Sequence, residues 1–324
     1  MFKTLLKFGF AGAILVWLIR KGDLDFSLIG ISLSEHPWRV TFCILLILFA
    51  AIGTSFRWKL LLEVKSQDKL PKKKVIGLTW IGLFFSSVLP GAVTGDVLKV
   101  VYAKDLDSSL TKTFLITSAL MDRIIGLLGL LFLLGFFSLL HYQELILLGP
   151  SMEKLLHLNF LLIIGAIVFF ITLFLPKKIQ AMFLDLFEKV PLVGNHTTKV
   201  LAGVWDMGSE KAVILKCLFM SLIFQAGNVL AIYIISYPFF NGDISLSTFY
   251  TFIPLGFMTT AIPISPAGMG VGHAAFGTLF SFYGVAKGAS LFNLYFLCAI
   301  FVNLMGIIPF LVMGKKTQVM VKIT

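Results

Sequence analysis

Long apolar runs separated by short polar segments recur along the chain, at residues 4–19, 40–62, 113–140, 159–175, 212–236 and 289–313. Several reach the roughly 20 residues that an α-helix needs to cross a hydrocarbon core about 30 Å thick. Backbone inside such a core must satisfy its own hydrogen bonds, so the runs predict helices and no open sheet. The charged residues agree. They make up 13% of 324 residues, about half the share found in a soluble domain. The expected fold class is an all-α polytopic integral membrane protein.

The placement of charge sets the topology. Formal net charge is +11, but the cations lie in short segments between apolar runs and not in a basic soluble domain. That pattern argues against nucleic acid as a partner and for anionic lipid head groups. The segments "EVKSQDKLPKKK" (63–74), "PKKIQ" (176–180) and "KKTQ" (315–318) are basic, and an excess of Lys and Arg marks the cytoplasmic side. Residues 20–38 and 141–158 mix acidic and basic side chains and suit the outer side. Both termini are therefore expected in the cytoplasm, in a multi-pass protein of the cell (inner) membrane. Lys3 and Lys7 precede the first run and Arg20-Lys21 follow it with no small-residue cleavage site, which predicts a retained first helix and not a signal peptide. Cys43, Cys217 and Cys298 each fall within an apolar run and read as buried structural thiols. There is no CxxC, HExxH or Walker motif, and no cofactor, metal or catalytic set is expected.

Alternation of sides leaves two apolar stretches over, 75–95 and 245–285. Each must begin and end on one side of the membrane. As helices, 75–89 reach only about 22 Å and 273–285 about 20 Å. Each stretch is broken by glycine and proline: "LPGAVTGD" at 89–96 and "SPAGMGVGH" at 265–273. The prediction is about six full spans plus two re-entrant helical hairpins entering from opposite faces, with eight spans as the alternative. The two tips align loosely, which suggests an inverted repeat with halves 1–140 and 159–324. The polar connection 176–211 contains "IQAMFLDLFEKV" at 179–190, apolar at i, i+3 and i+4 spacing. It predicts an amphipathic helix along the cytoplasmic interface.

Two charges stand inside the third run, Asp122 and Arg123. A charge at that depth costs about 3 kcal/mol on insertion scales. Adjacent residues on a helix do not face one another, so each needs a partner elsewhere. Ser118, Asp122, Gly126 and Gly129 form one small, polar stripe that should face the protein. Two readings stand: an ion-pair network that fixes helix packing, or an Arg123 that presents its planar donors to a phosphate, with Asp96 as its counter-ion. At the tips, Pro90, Gly91, Gly95, Ser265, Pro266, Gly268, Gly270 and Gly272 permit close backbone approach. Helices starting there, with Thr94 or Asp96 as caps, would offer N–H groups to an anion; the alternative is that the breaks only allow tight helix crossing. Ser221, Gln225, Asn228, Asn293 and Asn303 are expected to hydrogen-bond between helices. Arg57, beside Trp58 near the end of its run, is expected to snorkel to the interface, with head-group contact as the functional alternative. His273 reads as a buried, hydrogen-bonded histidine, the alternative being a proton-responsive switch.

Taken in order, "SFRWKLLL", "LPGAVTGDVLKVVY", "MDRIIGLL" and "IPISPAGMGVGHAAF" resemble the transmembrane-region family of lysylphosphatidylglycerol synthase, whose members are called flippase-like domain proteins. The resemblance covers nearly the whole chain and implies a single flippase-like domain over 1–324. It implies translocation of an anionic or aminoacylated phospholipid, or of a polyprenyl-phosphate-linked lipid. With the chain ending at Thr324, it implies the transport half without a soluble aminoacyl-transferase domain. Two positions depart from the family: His273 stands where a glutamate is usual, removing a coupling acid, and Lys99 where arginine is common. The site expected from these motifs comprises Arg57, Pro90, Gly91, Gly95, Asp96, Lys99, Asp122, Arg123, Ser265, Pro266, Gly268, Gly270, Gly272 and His273. Two other functions remain as alternatives. One is a non-catalytic membrane partner of a separate lipid-modifying synthase. The other is an integral-membrane transferase using a polyprenyl-phosphate donor, for which Asp105, Asp107 and Asp122 are the available carboxylates. Membrane lipids are the expected partners; a separate synthase and a second copy of the chain are further candidates.

Overall fold

A computed structural model of the chain describes residues 16, 27–88, 94–188, 194–240, 244–261 and 268–313. Among these residues every regular element is helical. In chain order the elements are α1 (Ser27–Glu35), α2 (Pro37–Leu62), α3 (Lys72–Val88), α4 (Thr94–Ala103), α5 (Lys112–Leu140), α6 (Tyr142–Ile146), α7 (Pro150–Thr172), α8 (Lys177–Glu188), α9 (Gly194–Gly208), α10 (Lys211–Ser236), α11 (Leu246–Ala261), α12 (Val271–Ser281) and α13 (Gly288–Leu304). A 3-10 turn, Tyr237–Phe239, extends α10, and helix resumes over 307–313 beyond α13. The helices α2, α5, α7, α10 and α13 with its extension are long and apolar enough to cross a membrane.

Their surfaces fit that role. On α7, Leu158, Leu161, Ile164, Ile167, Val168 and Ile171 are all exposed. Leaving apolar surface in water costs roughly 25 cal/mol per Å², whereas acyl chains receive it without penalty. The chain is a helical integral membrane protein. Four of these spans lie within a few residues of the sequence expectation. The remaining one, α7, differs, starting at Pro150 and not at 159, because Glu153, Lys154 and His157 mask a helix start. Proline is well placed there, since its fixed φ suits the first helical position and its missing N–H would have had no partner. Likewise α1 lies in a segment that charge alone marks as a loop. The run 4–19, apart from Val16, lies outside the described residues, as does the basic tail 315–318.

The centre of the bundle is α2 packed along α10, with α5 against both. Small residues make the approach close. A β-carbon on Gly53 would overlap the Phe224 ring of α10, and one on Gly129 of α5 would overlap the Ser221 hydroxyl. Helices in lipid associate through such packing and hydrogen bonding, because the tails are as apolar as leucine.

The pairs α3–α4 and α11–α12 are shorter. At 17, 10, 16 and 11 residues these helices reach roughly 26, 15, 24 and 17 Å, all below the thickness of the core. The helices α3 and α4 touch backbone to backbone: a β-carbon on Gly95 would overlap the Gly82 carbonyl oxygen and the Ser86 hydroxyl. In the second pair, Gly256 makes room for the Phe276 ring, and the Tyr283 hydroxyl beyond α12 lies 3.2 Å from that of Thr251 in α11. Asn303 Nδ2 donates to Ser87 Oγ at 2.9 Å, tying α3 to α13.

The segments flanking α3–α4 are clamped by one carboxylate. Asp107 accepts from the Ser66 hydroxyl at 2.6 Å, the Gln67 amide at 3.1 Å, the Ser109 amide at 2.8 Å and the Ser109 hydroxyl at 2.7 Å. The Ser66 hydroxyl first, then the two Ser109 donors, hold its pKa well below the usual carboxylate range. A depressed carboxylate contributes its stability in full above its unfolded value of about 3.9 and loses it as pH falls through the folded value. Asp107→Ala is expected to raise amide exchange across 63–71 and 104–111 at neutral pH. In the native protein those amides are expected to stay protected from pH 5 to 8. Equal exchange in the two proteins would remove the clamp.

The amphipathic expectation at 179–190 corresponds to α8, of which residues 189 and 190 lie outside the described set. No residue of α8 is buried. Ile179, Met182 and Leu186 are exposed along one side, while Phe183 approaches Trp205 of α9 with ring centroids 6.4 Å apart.

Candidate functional site

Five ionisable side chains meet where α2, α4 and α5 cross. Arg57 Nε donates to Asp122 Oδ1 at 2.8 Å, its second nitrogen to Ser221 Oγ at 3.1 Å and its third to the Asp122 carbonyl at 3.0 Å. All three guanidinium nitrogens are thus engaged. Lys99 Nζ stands 3.8 Å from Asp122 Oδ2 and 3.6 Å from Asp96 Oδ1. It lies over the Trp58 ring, 4.1 Å from the centroid, and Trp58 Nε1 donates to Ser118 Oγ at 3.2 Å. Arg123 Nε is ion-paired with Asp96 Oδ2.

The sequence places these groups by helical spacing. Asp96 and Lys99 are i, i+3 neighbours on α4 and share a face. Asp122 and Arg123 are adjacent on α5, so they point apart and serve opposite ends of the chain of charges. Asp122 belongs to the stripe Ser118–Asp122–Gly126–Gly129, which is buried as expected. Gly126 leaves room for the Arg57 guanidinium, which a β-carbon there would meet at 3.4 Å, and its carbonyl accepts from Gln225 Nε2 at 3.1 Å. Arg123 sits eleven residues into α5, roughly 16 Å along the axis from Lys112.

Two features of this network bear on chemistry. Among the described residues the network holds three cations, Arg57, Lys99 and Arg123, and two carboxylates, Asp96 and Asp122. Exposure also rises along the chain: side-chain accessibility is 5% at Arg57 and Lys99, 12% at Asp122, 21% at Asp96 and 40% at Arg123. The Arg57 end is closed and fully bonded, whereas the Asp96–Arg123 end opens to the surface of the bundle.

The expectation that Arg57 snorkels is corrected. Its side chain is 5% exposed and turned inward onto Asp122, because Ser221, the Asp122 carbonyl and a carboxylate satisfy it better than the interface would. The platform role of Trp58 under Lys99 is the contact that sequence reasoning missed. Its only signal was the pairing of Trp58 with an arginine that carries no local counter-ion.

The second motif forms a different kind of site. Gly268 and Gly270 have φ of 75° and 79°, left-handed values that side chains resist. Gly272 in α12 abuts Phe292 and Thr260. His273 accepts from the Gly270 amide at Nδ1, at 3.3 Å, so its proton lies on Nε2, which donates to Asn293 Oδ1 at 3.1 Å. Held between the Phe292 and Phe296 rings and 1% exposed, it is a buried, neutral, hydrogen-bonded histidine. Among the described residues no hydrogen bond or ion pair joins this motif to the charged network. The expected site residues Pro90, Gly91, Ser265 and Pro266 lie outside the described residues. Of the other carboxylates considered, Asp107 serves the loop clamp, and Asp105 lines a cavity of about 560 Å³ beside α3. The three cysteines are free and buried.

Residues 4–309 match the family described as lysylphosphatidylglycerol synthase TM region. No curated protein and no solved structure matches the chain. The family match spans the charged network, both glycine-rich motifs, four of the long apolar helices and most of the fifth. The chain therefore belongs to the lysylphosphatidylglycerol synthase transmembrane-region family.

Proposed function

We propose that this protein is a lipid translocase that binds the phosphate of a head group at the open end of its charged network. The observation that carries this reading is the exposed arginine at the open end of a network that is otherwise buried. Intramembrane ion-pair networks are costly unless paired, and this one ends in an arginine 40% exposed. A phosphate carries the negative charge that a guanidinium favours and matches its planar donors in geometry. Arg123 would exchange Asp96 for the head group, with Lys99 taking up the released carboxylate from its present 3.6 Å. The shared ligand chemistry is a lipid phosphate, present in phosphatidylglycerol, its lysyl ester and polyprenyl-phosphate lipids alike.

The short pairs α3–α4 and α11–α12 act as re-entrant hairpins from opposite faces, their tips at the two glycine-rich breaks. Length and the meeting of each pair's outer ends support this. Halves 1–140 and 159–324 form an inverted repeat, and rocking of one against the other gives alternating access. Both termini lie in the cytoplasm, and α8 rests its apolar side on the inner leaflet.

The test is reconstitution of the purified protein into liposomes carrying dithionite-quenchable phosphatidylglycerol, lysylphosphatidylglycerol or polyprenyl phosphate. At least one of the three is expected to become fully quenchable, while phosphatidylcholine without protein stays half protected. Protection of all three at protein-free levels would overturn a self-sufficient translocase.

A further inference from the structure

We propose that the groove between α7 and the α11–α12 pair is a seat for the acyl chains of one anionic phospholipid, with Lys154 holding its phosphate. The groove has a volume of about 960 Å³. On one wall α7 contributes Ser151, Lys154, Leu155, Leu158 and Leu162, a single helical stripe with polar residues at one end only. The opposite wall comes from α11 and α12, and Leu127 of α5 also lines the groove. Thr259 and Thr278 also line it, but each returns its hydroxyl to its own helix, to Gly256 O at 2.7 Å and Ala274 O at 3.0 Å. The wall is therefore apolar in effect.

Length and charge select the occupant. From Ser151 to Leu162 the stripe runs roughly 17 Å, about half of a 30 Å hydrocarbon core, which is the depth of one leaflet. Lys154 stands at the mouth, exposed, and among the described residues no carboxylate pairs with it. An amine at head-group level above an apolar slot one leaflet deep fits a phospholipid. A protein helix would fill the slot but leave the amine unmatched. The groove comes within one helical turn of Arg123: Leu127, which lines it, is i+4 from Arg123 on α5, and both are exposed. A lipid released from Arg123 would thus find the groove directly above. What the seat does rests on the translocase reading; whether it binds lipid does not.

The experiment uses the full chain in nanodiscs with phosphatidylglycerol or phosphatidylcholine bearing a diazirine in the acyl chain. Adducts are mapped by mass spectrometry after irradiation. Phosphatidylglycerol label is expected to concentrate on Leu155, Leu158 and Leu162 over Leu161, Ile164 and Val168, which face lipid on the same helix. Lys154→Glu is expected to lower that label about fivefold or more while sparing phosphatidylcholine label, and Ala275→Trp to lower both by filling the slot. Arg123→Ala should leave the labelling unchanged. Label spread evenly around α7, or indifferent to both groove variants, would overturn the assignment. Groove labelling in a protein that moves no lipid would sink the translocase reading and keep the seat.

Discussion

Replacing Asp122 with alanine is expected to destabilise the protein by about 3–5 kcal/mol, the typical cost of stripping one partner from a buried ion pair. Arg57 is 5% exposed and Lys99 likewise. Neither can reach water without leaving its place, Arg57 beneath Ser221 and Lys99 over Trp58. The Asp122 carbonyl and Ser221 hydroxyl remain as acceptors, but neither carries charge. Thermal melting in detergent reads the loss. The double variant Arg57→Met, Asp122→Leu separates charge from packing. Removing both partners and keeping volume is expected to recover most of the stability. A single variant that melts with the native protein would mean that Asp122 is not a buried counter-ion.

Gly95→Val is the second large effect. The new β-carbon overlaps a backbone carbonyl, that of Gly82, and the Ser86 hydroxyl beside it. A flexible side chain could rotate away; a carbonyl in mid-helix cannot. Overpacking in a close-packed interior costs about 1–3 kcal/mol, or more when backbone must move. Here α4 has to separate from α3 and carries Asp96 and Lys99 with it. The variant is therefore expected both to melt earlier and to lose lipid transport. Gly95→Ala should show the same effects in weaker form, since even its single methyl meets the carbonyl. Unchanged transport in the valine variant would show that the α3–α4 contact does not position the charged network.

The long spans were legible in the sequence because a 20-residue apolar run has few other uses. The charged network was partly legible. Asp122 and Arg123 stood out as charges at depth, adjacency on a helix required separate partners, and the acidic residue of the first glycine-rich motif, Asp96, was the candidate for one of them. Arg57 was not legible. Five residues from the end of α2 and next to a tryptophan, it carries the pattern of an interfacial anchor, and only its distant partners Asp122 and Ser221 reveal that it turns inward. Lys99 shows the same limit, because its position between two carboxylates and over an indole depends on how three helices cross. The start of α7 was hidden by three polar residues in its first turns, although Pro150 marked it. His273 was legible as a buried histidine, yet its proton position follows only from the Gly270 amide.

The measurement that bears most directly on the account is the phosphatidylglycerol scrambling rate of Arg123→Ala and Arg123→Lys beside the native protein, with melting followed on the same samples. Arg123 is 40% exposed and Lys99 stays 3.6 Å from Asp96, so the fold should hold. Losing charge-assisted hydrogen bonds of about 1.5–3 kcal/mol implies a rate roughly 10- to 100-fold lower in the alanine variant. Lysine, a point charge without the planar fork, should restore only part of it. Native-rate scrambling by a well-folded Arg123→Ala protein would contradict the assignment of the lipid phosphate to this end of the network.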